Sequence, residues 1–380
     1  MSKLKLSVAV GPYDRTRALI DGTVQIDGVD PVCMTLSPEE IFFRAFRNAE
    51  FDICELSLSS STVKTAMGNF PYVGVPAFVS RAFRHTSLYV RTDRIKKPQD
   101  LKGKKIGLPE YQLTANVWAR ALLQDDFGVK PSDVTWVRGG IEDADRPEKI
   151  ALKLPPEIKL EAAPEGKSIS RLLAEGAIDG FMAPRPPSLP AGTPNVGWLF
   201  PDPVAAAKDY FKRTGIFPIM HIVGVRRELA EQHPWLPGAV LKAFEQAKAR
   251  ALESLSDTSA TKVTLPFVEE RLTEARQTMG EDFWSYGVAP NRKTLETFFQ
   301  HHHSQGLSPR VVKPEAGPVT GFALAGLATM STSNRLARAS DRARAASAII
   351  LAQKDGVDEF AGLYQRDFQS ATRRAMMLVS

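Results

Sequence analysis

Residues 103–123 constrain the fold most, because they read as a strand that feeds a helix through a polar turn. Lys105–Leu108 is a short apolar strand, Pro109 ends it, and from Thr114 onward apolar residues recur at helical spacing. The first backbone N–H groups of such a helix have no partner within it, so they favour an anion in front of them. The stretch therefore predicts a βα unit with a candidate ligand turn. The alternative is an ordinary βα connection in which Thr114 caps the helix.

The same alternation of strand and helix recurs along the chain and predicts an α/β protein. Further apolar strands are expected at residues 4–10, 51–57 and 219–225. With 380 residues, the chain is long enough for two domains with substantial cores. Hydrophobic residues make up 43% and charged residues 24%, and the mean hydropathy is −0.19, values typical of a soluble globular protein.

Composition and charge also narrow the function classes. No apolar run has the length of a membrane span, so we expect no membrane association. The N-terminal residues MSKLKLSVAV lack the apolar core and cleavage site of a signal peptide, so we expect a cytoplasmic protein. Cys33 and Cys54 are too few for a disulfide framework, and no Cys/His spacing resembles a structural zinc site. Half of the net charge of +6 lies in residues 330–380, and elsewhere the basic residues are interspersed with acidic ones. No aromatic-rich RNA-binding motif occurs, so we expect no nucleic-acid partner.

Charged and hydroxyl side chains follow several predicted strands, where open α/β sheets bind ligands. Arg15 and Arg17 follow the first strand, and either guanidinium could grip a carboxylate; the alternative is a solvated arginine on a helix. Ser59 and Ser60 belong to the segment FDICELSLSSS. Serines at the end of a strand bind ligand oxygen atoms or cap the next helix.

Histidines provide the candidate proton donors. Arg84 beside His85 offers a carboxylate clamp next to an acid, although a single histidine is more often structural. His221 lies inside an apolar strand, where a buried imidazole needs a partner for each ring nitrogen. The run His301–His303 is expected to be solvated on a late helix, because adjacent helical positions point in different directions.

Six segments, taken in chain order, resemble one known family. They are GPYDRTRAL, FDICELSLSSS, SRAFRHTSLYV, DLKGKKIGLPEYQLTANVWARALL, GAIDGFMAPRPP and GIFPIMHIVGVRREL. Their order is similar to that of the 4,5-dihydroxyphthalate decarboxylases, a cytoplasmic branch of the periplasmic substrate-binding-protein superfamily. The phrase DLKGKKIG is shared by many binding proteins of this fold, whereas SRAFRH, PEYQLTANVW and FPIMH are more specific. The resemblance covers residues 4–308.

This resemblance implies an α/β, two-lobed periplasmic-binding-protein-like (type 2) fold with two hinge strands and a central cleft. The expected domains are lobe 1 at residues 1–90 plus 216–308, lobe 2 at 91–215, and an atypical Ala/Arg/Ser-rich C-terminal extension at 309–380 that is poorly packed. The expected hinge strands are Thr86–Val90 and Ile219–Val225. Closure of the two lobes over a ligand is the expected motion.

The resemblance also implies decarboxylation of an aromatic diacid, in which a ring carbon is protonated with help from the para hydroxyl. Such a site needs cations for two carboxylates, a base near a phenol and an acid over the ring. The catalytic candidates are His85, His221, Glu55 and Glu110, with the two histidines expected side by side at the cleft. The substrate-binding candidates are Arg15, Arg84, Arg185, Tyr111, Thr114, Ser59 and Ser60.

We expect no cofactor and no dedicated metal ligands, while a divalent metal on the catechol oxygen atoms stays open. The expected partner is a small aromatic dicarboxylate substrate, and formation of a homo-oligomer is also left open. The competing hypotheses are a non-catalytic small-anion-binding protein of the same fold and a related enzyme acting on another phenolic acid. A binding protein would need the arginines, but it would have no use for two histidines and two glutamates at one cleft.

Overall fold

The computed structural model describes residues 2–144, 149–150, 152–189 and 193–316, and strands alternate with helices along this part of the chain. The strands are β1 (Leu4–Val10), β2 (Val29–Thr35), β3 (Ile53–Ser57), β4 (Tyr72–Arg81), β5 (Leu88–Arg91), β6 (Lys105–Leu108), β7 (Thr135–Arg138), β8 (Lys159–Ala162), β9 (Gly180–Met182), β10 (Val196–Trp198) and β11 (Ile219–Arg226). The α-helices are α1 (Asp14–Ile20), α2 (Pro38–Asn48), α3 (Leu58–Ala66), α4 (Thr114–Phe127), α5 (Ile169–Ala174), α6 (Pro203–Thr214), α7 (Arg227–Gln232), α8 (Leu236–Ser256), α9 (Val268–Met279) and α10 (Arg292–Ser304).

The strands form two separate mixed sheets. In the first sheet the order is β2-β1-β3-β11-β4, with β1 parallel to β2 and β3, and with β11 antiparallel to both of its neighbours. In the second sheet the order is β10-β5-β9-β6-β7-β8, with β6 parallel to β7 and β9. The first sheet thus takes four strands from the N-terminal part of the chain and one, β11, from beyond the residues that form the second sheet. This arrangement confirms the two-lobed α/β fold, while the exact lobe boundaries stay predictions.

The chain passes between the sheets twice. The first crossing follows β4, and the second leads into β11; they meet where the Ala82 N–H donates to the Pro218 carbonyl at 3.2 Å. The predicted hinge strand at Thr86–Val90 needs a correction, because His85–Ser87 forms a short 3-10 turn before β5 begins. That turn is closed by the Ser87 N–H, which donates to the Arg84 carbonyl at 3.0 Å.

Helix α4 begins at the expected residue, but Thr114 does not cap it. The helix starts after Leu113, and no side-chain hydrogen bond caps its first turn. It ends at Gly128, whose φ of 65° is left-handed and therefore suits a residue without a Cβ. The Thr114 hydroxyl is thus available for contacts in front of the helix.

Helix α10 joins the two halves of the molecule. It follows β11 of the first sheet in the chain, yet it packs on α4, which follows β6 of the second sheet. The ring centroids of Trp118 and Phe298 are 5.4 Å apart. Just beyond α10, the Gln305 side chain donates to the Val117 carbonyl at 3.0 Å and accepts from Arg120 at 2.8 Å. The described chain ends in a 3-10 turn at Pro314–Ala316, so residues 317–380 of the predicted extension lie outside the described residues.

Candidate active site

A buried carboxylate lies where β1 and β3 end. These strands run parallel, with Ala9 opposite Cys54, so the turn after β1 lies against the end of β3. Glu55 on β3 is 0% exposed. Its Oε2 accepts from the Gly11 N–H at 3.0 Å, and its Oε1 accepts from the Tyr13 hydroxyl at 2.9 Å and contacts His221 Nδ1 at 2.5 Å.

These contacts set the charge state of Glu55. Burial by itself raises the pKa of the carboxyl group. The hydrogen bond and charge of His221 and the hydrogen bonds from Gly11 and Tyr13 together lower it by more than burial raises it, so the pKa of Glu55 lies below its ordinary value. Glu55 is therefore a carboxylate at neutral pH. Because a carboxylate only accepts hydrogen bonds, His221 carries a proton on Nδ1.

The other ring nitrogen of His221, Nε2, has no hydrogen-bond partner in the described chain. The residue lies on β11 opposite Ser57 of β3, at a point where the pairing of β11 with β4 is irregular. Its side chain is 18% exposed. The edge of Phe42 packs against the ring at a centroid distance of 4.9 Å. A histidine held by a carboxylate at Nδ1 and open at Nε2 can give or take a proton at Nε2.

A second buried ion pair joins Glu110 and Lys149. Lys149 Nζ lies 3.2 Å from Glu110 Oε1, and the two side chains are 1% and 0% exposed. Gln112 also donates to the Glu110 carboxylate, at 2.8 Å. Lys149 Nζ lies 5.9 Å from the centroid of Phe42, the same ring that contacts His221. The partners of the two buried carboxylates, His221 and Lys149, thus adjoin one aromatic ring. The sequence analysis did not identify Lys149.

The first turns of α3 and α4 meet directly. The Thr114 hydroxyl is 3.0 Å from the Ser57 hydroxyl and accepts from the Ser59 N–H at 3.0 Å. The Ser60 N–H points back to Ser57, its own helix cap, at 3.4 Å. Ser59 and Thr114, both candidates for substrate binding, are therefore in direct contact in this structure, and their role in binding stays a prediction. Their contact links the first sheet to the second.

Two of the three histidines after residue 300, His301 and His302, are buried and not solvated, which corrects the prediction for them. His302 is 0% exposed; its Nε2 contacts the Ser59 hydroxyl at 3.1 Å and its Nδ1 contacts the Ser308 hydroxyl at 3.0 Å. Burial lowers the pKa of His302 to about 3, so the ring is neutral. His301 is also buried, with Nε2 2.7 Å from Asp125. The packing of α10 on α4 places these rings inside the protein.

The three candidate arginines lie in different environments. Arg84 is half-buried, its Nε contacts Met220 Sδ at 3.2 Å, and no acidic side chain in the described chain pairs with it. Burial lowers the pKa of Arg84 to about 10. Arg15 lies over the rings of Tyr13 and Trp284, at 4.2 and 4.6 Å from their centroids. Arg185 is exposed in the loop after β9.

His85 and His221 pack against different aromatic rings in the described chain. The His85 ring packs on Phe200 and Tyr210 at 5.1 and 5.7 Å, and its charged neighbours include Asp126 at the C-terminal end of α4. His221 instead lies opposite Ser57, which contacts the first residue of α4. Burial lowers the pKa of His85 to about 4, and its Nδ1 has no partner in the described chain. A catalytic role for His85 and its place beside His221 stay predictions.

Tyr111 belongs to the core. It is 0% exposed, its hydroxyl donates to the Gln305 carbonyl at 3.3 Å, and the Arg120 guanidinium lies 3.8 Å from its ring centroid. Burial raises the pKa of the Tyr111 phenol. Its place in the PEYQLT turn made it a candidate from sequence, but the side chain turns inward. Tyr13, which the sequence analysis did not select, is the tyrosine that contacts the buried carboxylate.

No group of three or more His, Cys, Asp or Glu side chains within the described ranges is arranged to hold a metal ion. Likewise, none of the described helices is both long and apolar enough to span a membrane.

Comparisons with known proteins agree with the resemblance seen in the sequence. Residues 50–147 match the family model described as NMT1/THI5 like. The 4,5-dihydroxyphthalate decarboxylase of Comamonas testosteroni is 63% identical over 316 residues, which are 83% of this chain and 96% of that protein. The enzyme of the same name from Pseudomonas putida is 60% identical over 214 residues, 56% of this chain and 83% of that protein.

Among solved structures, the periplasmic aliphatic sulphonate binding protein SsuA from Escherichia coli is 15% identical with a TM-score of 0.45, over 83% of this chain and 92% of that one. The extent and identity of the match to the Comamonas protein settle the family. This chain belongs to the 4,5-dihydroxyphthalate decarboxylase family.

Proposed function

We propose that this protein decarboxylates 4,5-dihydroxyphthalate to protocatechuate and carbon dioxide. The observation that carries the proposal is the Glu55–His221 pair, an anionic carboxylate that orients an imidazole whose Nε2 is open. Relatives named for this activity are 60–63% identical to the chain, which supports the same substrate. A protein that only held an anion would not need a buried carboxylate to orient a histidine.

The reaction replaces a carboxylate with a proton. A base removes the proton of the hydroxyl para to the departing carboxylate, and the phenolate pushes electron density into the ring. The ring carbon that bears this carboxylate then takes a proton from an acid, which breaks aromaticity. When the carbon–carbon bond breaks, its electron pair restores the aromatic ring and carbon dioxide leaves. The enzyme must supply the acid, the base and positive charge for the carboxylates.

We assign the acid to His221 Nε2, with Glu55 compensating the charge of the doubly protonated ring. Glu110 suits the base that takes the phenolic proton, and Lys149 lies 3.2 Å from it, where a cation stabilises phenolate charge. Arg84 suits a substrate carboxylate, because it is half-buried without an acidic partner in the described chain. The second carboxylate has several candidate binding groups, namely Arg15, Arg185 and the helix starts at Ser59, Ser60 and Thr114.

The proposal also covers cofactor, location and assembly. None of the residue roles above requires an organic cofactor, and the test below decides whether a divalent metal takes part. The relatives are named as decarboxylases and not as transport receptors, which supports a cytoplasmic location. Formation of a homo-oligomer is left to light scattering on the purified protein.

The test is to incubate the full-length protein with 4,5-dihydroxyphthalate, first metal-free and then with added divalent ions, and to follow protocatechuate by chromatography. Product in the metal-free sample establishes a cofactor-independent decarboxylase. Product only with metal makes Glu55 and Glu110 candidate ligands. Saturable binding of the diacid without product in either sample would overturn the enzymatic assignment in favour of a binding protein.

A further inference from the structure

Tyr13 occupies a central place beside the Glu55–His221 pair. It follows Gly11 and Pro12 in the turn after β1, and its N–H donates to the Gly11 carbonyl at 2.9 Å. Its hydroxyl donates to Glu55 Oε1, the same oxygen that faces His221 Nδ1. The phenol thus directly contacts the carboxylate that holds the histidine.

The turn holds the Tyr13 ring from two sides. A Cβ built on Gly11 would lie 2.4 Å from the Tyr13 ring, so only glycine lets the ring lie this close to the backbone. On the other side, the Arg15 guanidinium lies 4.2 Å from the ring centroid and donates to the Val79 carbonyl at 2.5 Å. The ring is therefore fixed before any substrate arrives.

The donors around Glu55 leave it one orientation. Gly11 N–H holds Oε2, while Tyr13 and His221 share Oε1. Burial and the negative charge of Glu55 raise the pKa of Tyr13, so the phenol stays protonated and acts only as a donor here. With the hydroxyl gone, each oxygen would keep one donor, the Gly11 N–H on Oε2 and His221 Nδ1 on Oε1, so the carboxylate would be held by two bonds instead of three and its orientation would be less fixed.

We propose that Tyr13 is a positioning residue for proton transfer: its hydroxyl locks the Glu55 carboxylate so that His221 keeps its Nδ1 proton on Glu55 and directs Nε2 to the substrate. This inference deepens the proposed function and rests on it for its kinetic consequence. Its structural consequence, a single ring tautomer and orientation for His221, is independent of turnover.

The variant that tests it is Tyr13→Phe, which removes the hydroxyl and keeps the ring under Arg15. We expect kcat to fall about 10- to 100-fold, the range of one hydrogen bond to a charged group, with KM changed less than about threefold. Gly11→Ala should cause a similar fall in kcat, because its Cβ displaces the Tyr13 ring while the hydroxyl is still present. Tyr286→Phe is the matched control, because the buried Tyr286 hydroxyl has no partner among the described residues.

The second readout is the ¹⁵N spectrum of the His221 ring, measured without substrate. The wild type and Tyr286→Phe should show Nδ1 protonated in both the neutral and the doubly protonated ring, whereas Tyr13→Phe should show averaging between the two tautomers of the neutral ring. An unchanged spectrum in Tyr13→Phe would overturn the inference, and so would equal losses of kcat in Tyr13→Phe and Tyr286→Phe. If the wild type shows no turnover of the diacid, the proposed function fails and the spectrum alone decides the role of Tyr13.

Discussion

Replacing His221 by Asn separates catalysis from binding more sharply than any other single change. The shorter Asn cannot reach Glu55 as the imidazole does, and it has no titratable proton for the ring carbon. General acid catalysis contributes about 10²- to 10⁴-fold, so we expect kcat to fall by that factor, equivalent to about 3–5.5 kcal/mol of transition-state stabilisation. Substrate binding should change little, because the proton is transferred only on the way to the transition state.

His221→Asn should also lower the free energy of unfolding, and the contacts of Glu55 limit the size of this loss. Glu55 keeps the Gly11 and Tyr13 donors and loses only the charge-assisted bond from His221. Hydrogen bonds to charged groups contribute about 1.5–3 kcal/mol, and the 18% exposure of His221 lowers this toward the smaller value. The variant should therefore unfold at a moderately lower urea concentration and remain folded at the assay temperature.

The assay is steady-state decarboxylation with direct measurement of diacid binding by calorimetry. His303→Asn is the control, because His303 also loses a hydrogen bond, from its Nδ1 to the Ser308 carbonyl at 2.8 Å, away from Glu55. We expect that control to retain wild-type kcat. A His221→Asn protein with wild-type kcat would refute the assignment of His221 as the acid, and a loss confined to binding would show that His221 holds the substrate instead.

Three further predictions concern charge. Arg84→Ala should raise KM at least tenfold with a smaller effect on kcat, since a charge-assisted bond to a carboxylate is lost; steady-state kinetics checks this against Arg84→Lys, which should be intermediate. Because the pKa of Glu55 is lower in the folded state, its carboxylate stabilises the folded protein at pH values above its unfolded-state pKa of about 4.3, and this stabilisation is lost as the pH falls through the folded-state pKa. The free energy of unfolding of Glu55→Gln, measured with urea, should lack this pH dependence. The pKa of His302 is lowered to about 3, so the unfolded chain binds a proton more readily below pH 6.5 and the protein loses stability as the pH falls toward 3, by up to about 1.4 kcal/mol per pH unit. The free energy of unfolding of His302→Gln should therefore depend less steeply on pH in this range.

The sequence was sufficient for the strands and helices because periodic apolar residues are a local signal, whereas the two-lobed arrangement was predicted from the resemblance to a known family. The strands at residues 4–10 and 105–108 and the start of α4 at Thr114 appear as predicted. The Glu55–His221 contact was beyond local reasoning, because it depends on β11 pairing with β3 across 166 residues of chain. Both residues were candidates, but their partnership was not.

Misplaced and missed residues share a physical cause. His302 looked solvated because three histidines follow one another, yet the packing of α10 on α4 buries the middle ring. His85 is adjacent to a candidate arginine in sequence, but the 3-10 turn directs its ring toward Phe200. One feature of the sequence could have identified Tyr13: it follows Gly11 and Pro12 directly at the end of a strand, and a turn of this kind holds an aromatic residue close to the carboxyl end of the strand. In each case at least one partner of the side chain lies far away in sequence.

The order of strands in the first sheet has a consequence for synthesis on the ribosome. The second sheet uses strands between residues 88 and 198, so its residues are all available before β11 at Ile219–Arg226 is translated. The first sheet begins with β1, but β11 belongs between β3 and β4, so that sheet stays open until β11 emerges. We expect the middle of the chain to fold before its N-terminal portion is complete, although N-terminal units usually fold first. His221 lies on β11, so it is translated long after Glu55 on β3, and a nascent chain that ends before β11 cannot contain the Glu55–His221 pair.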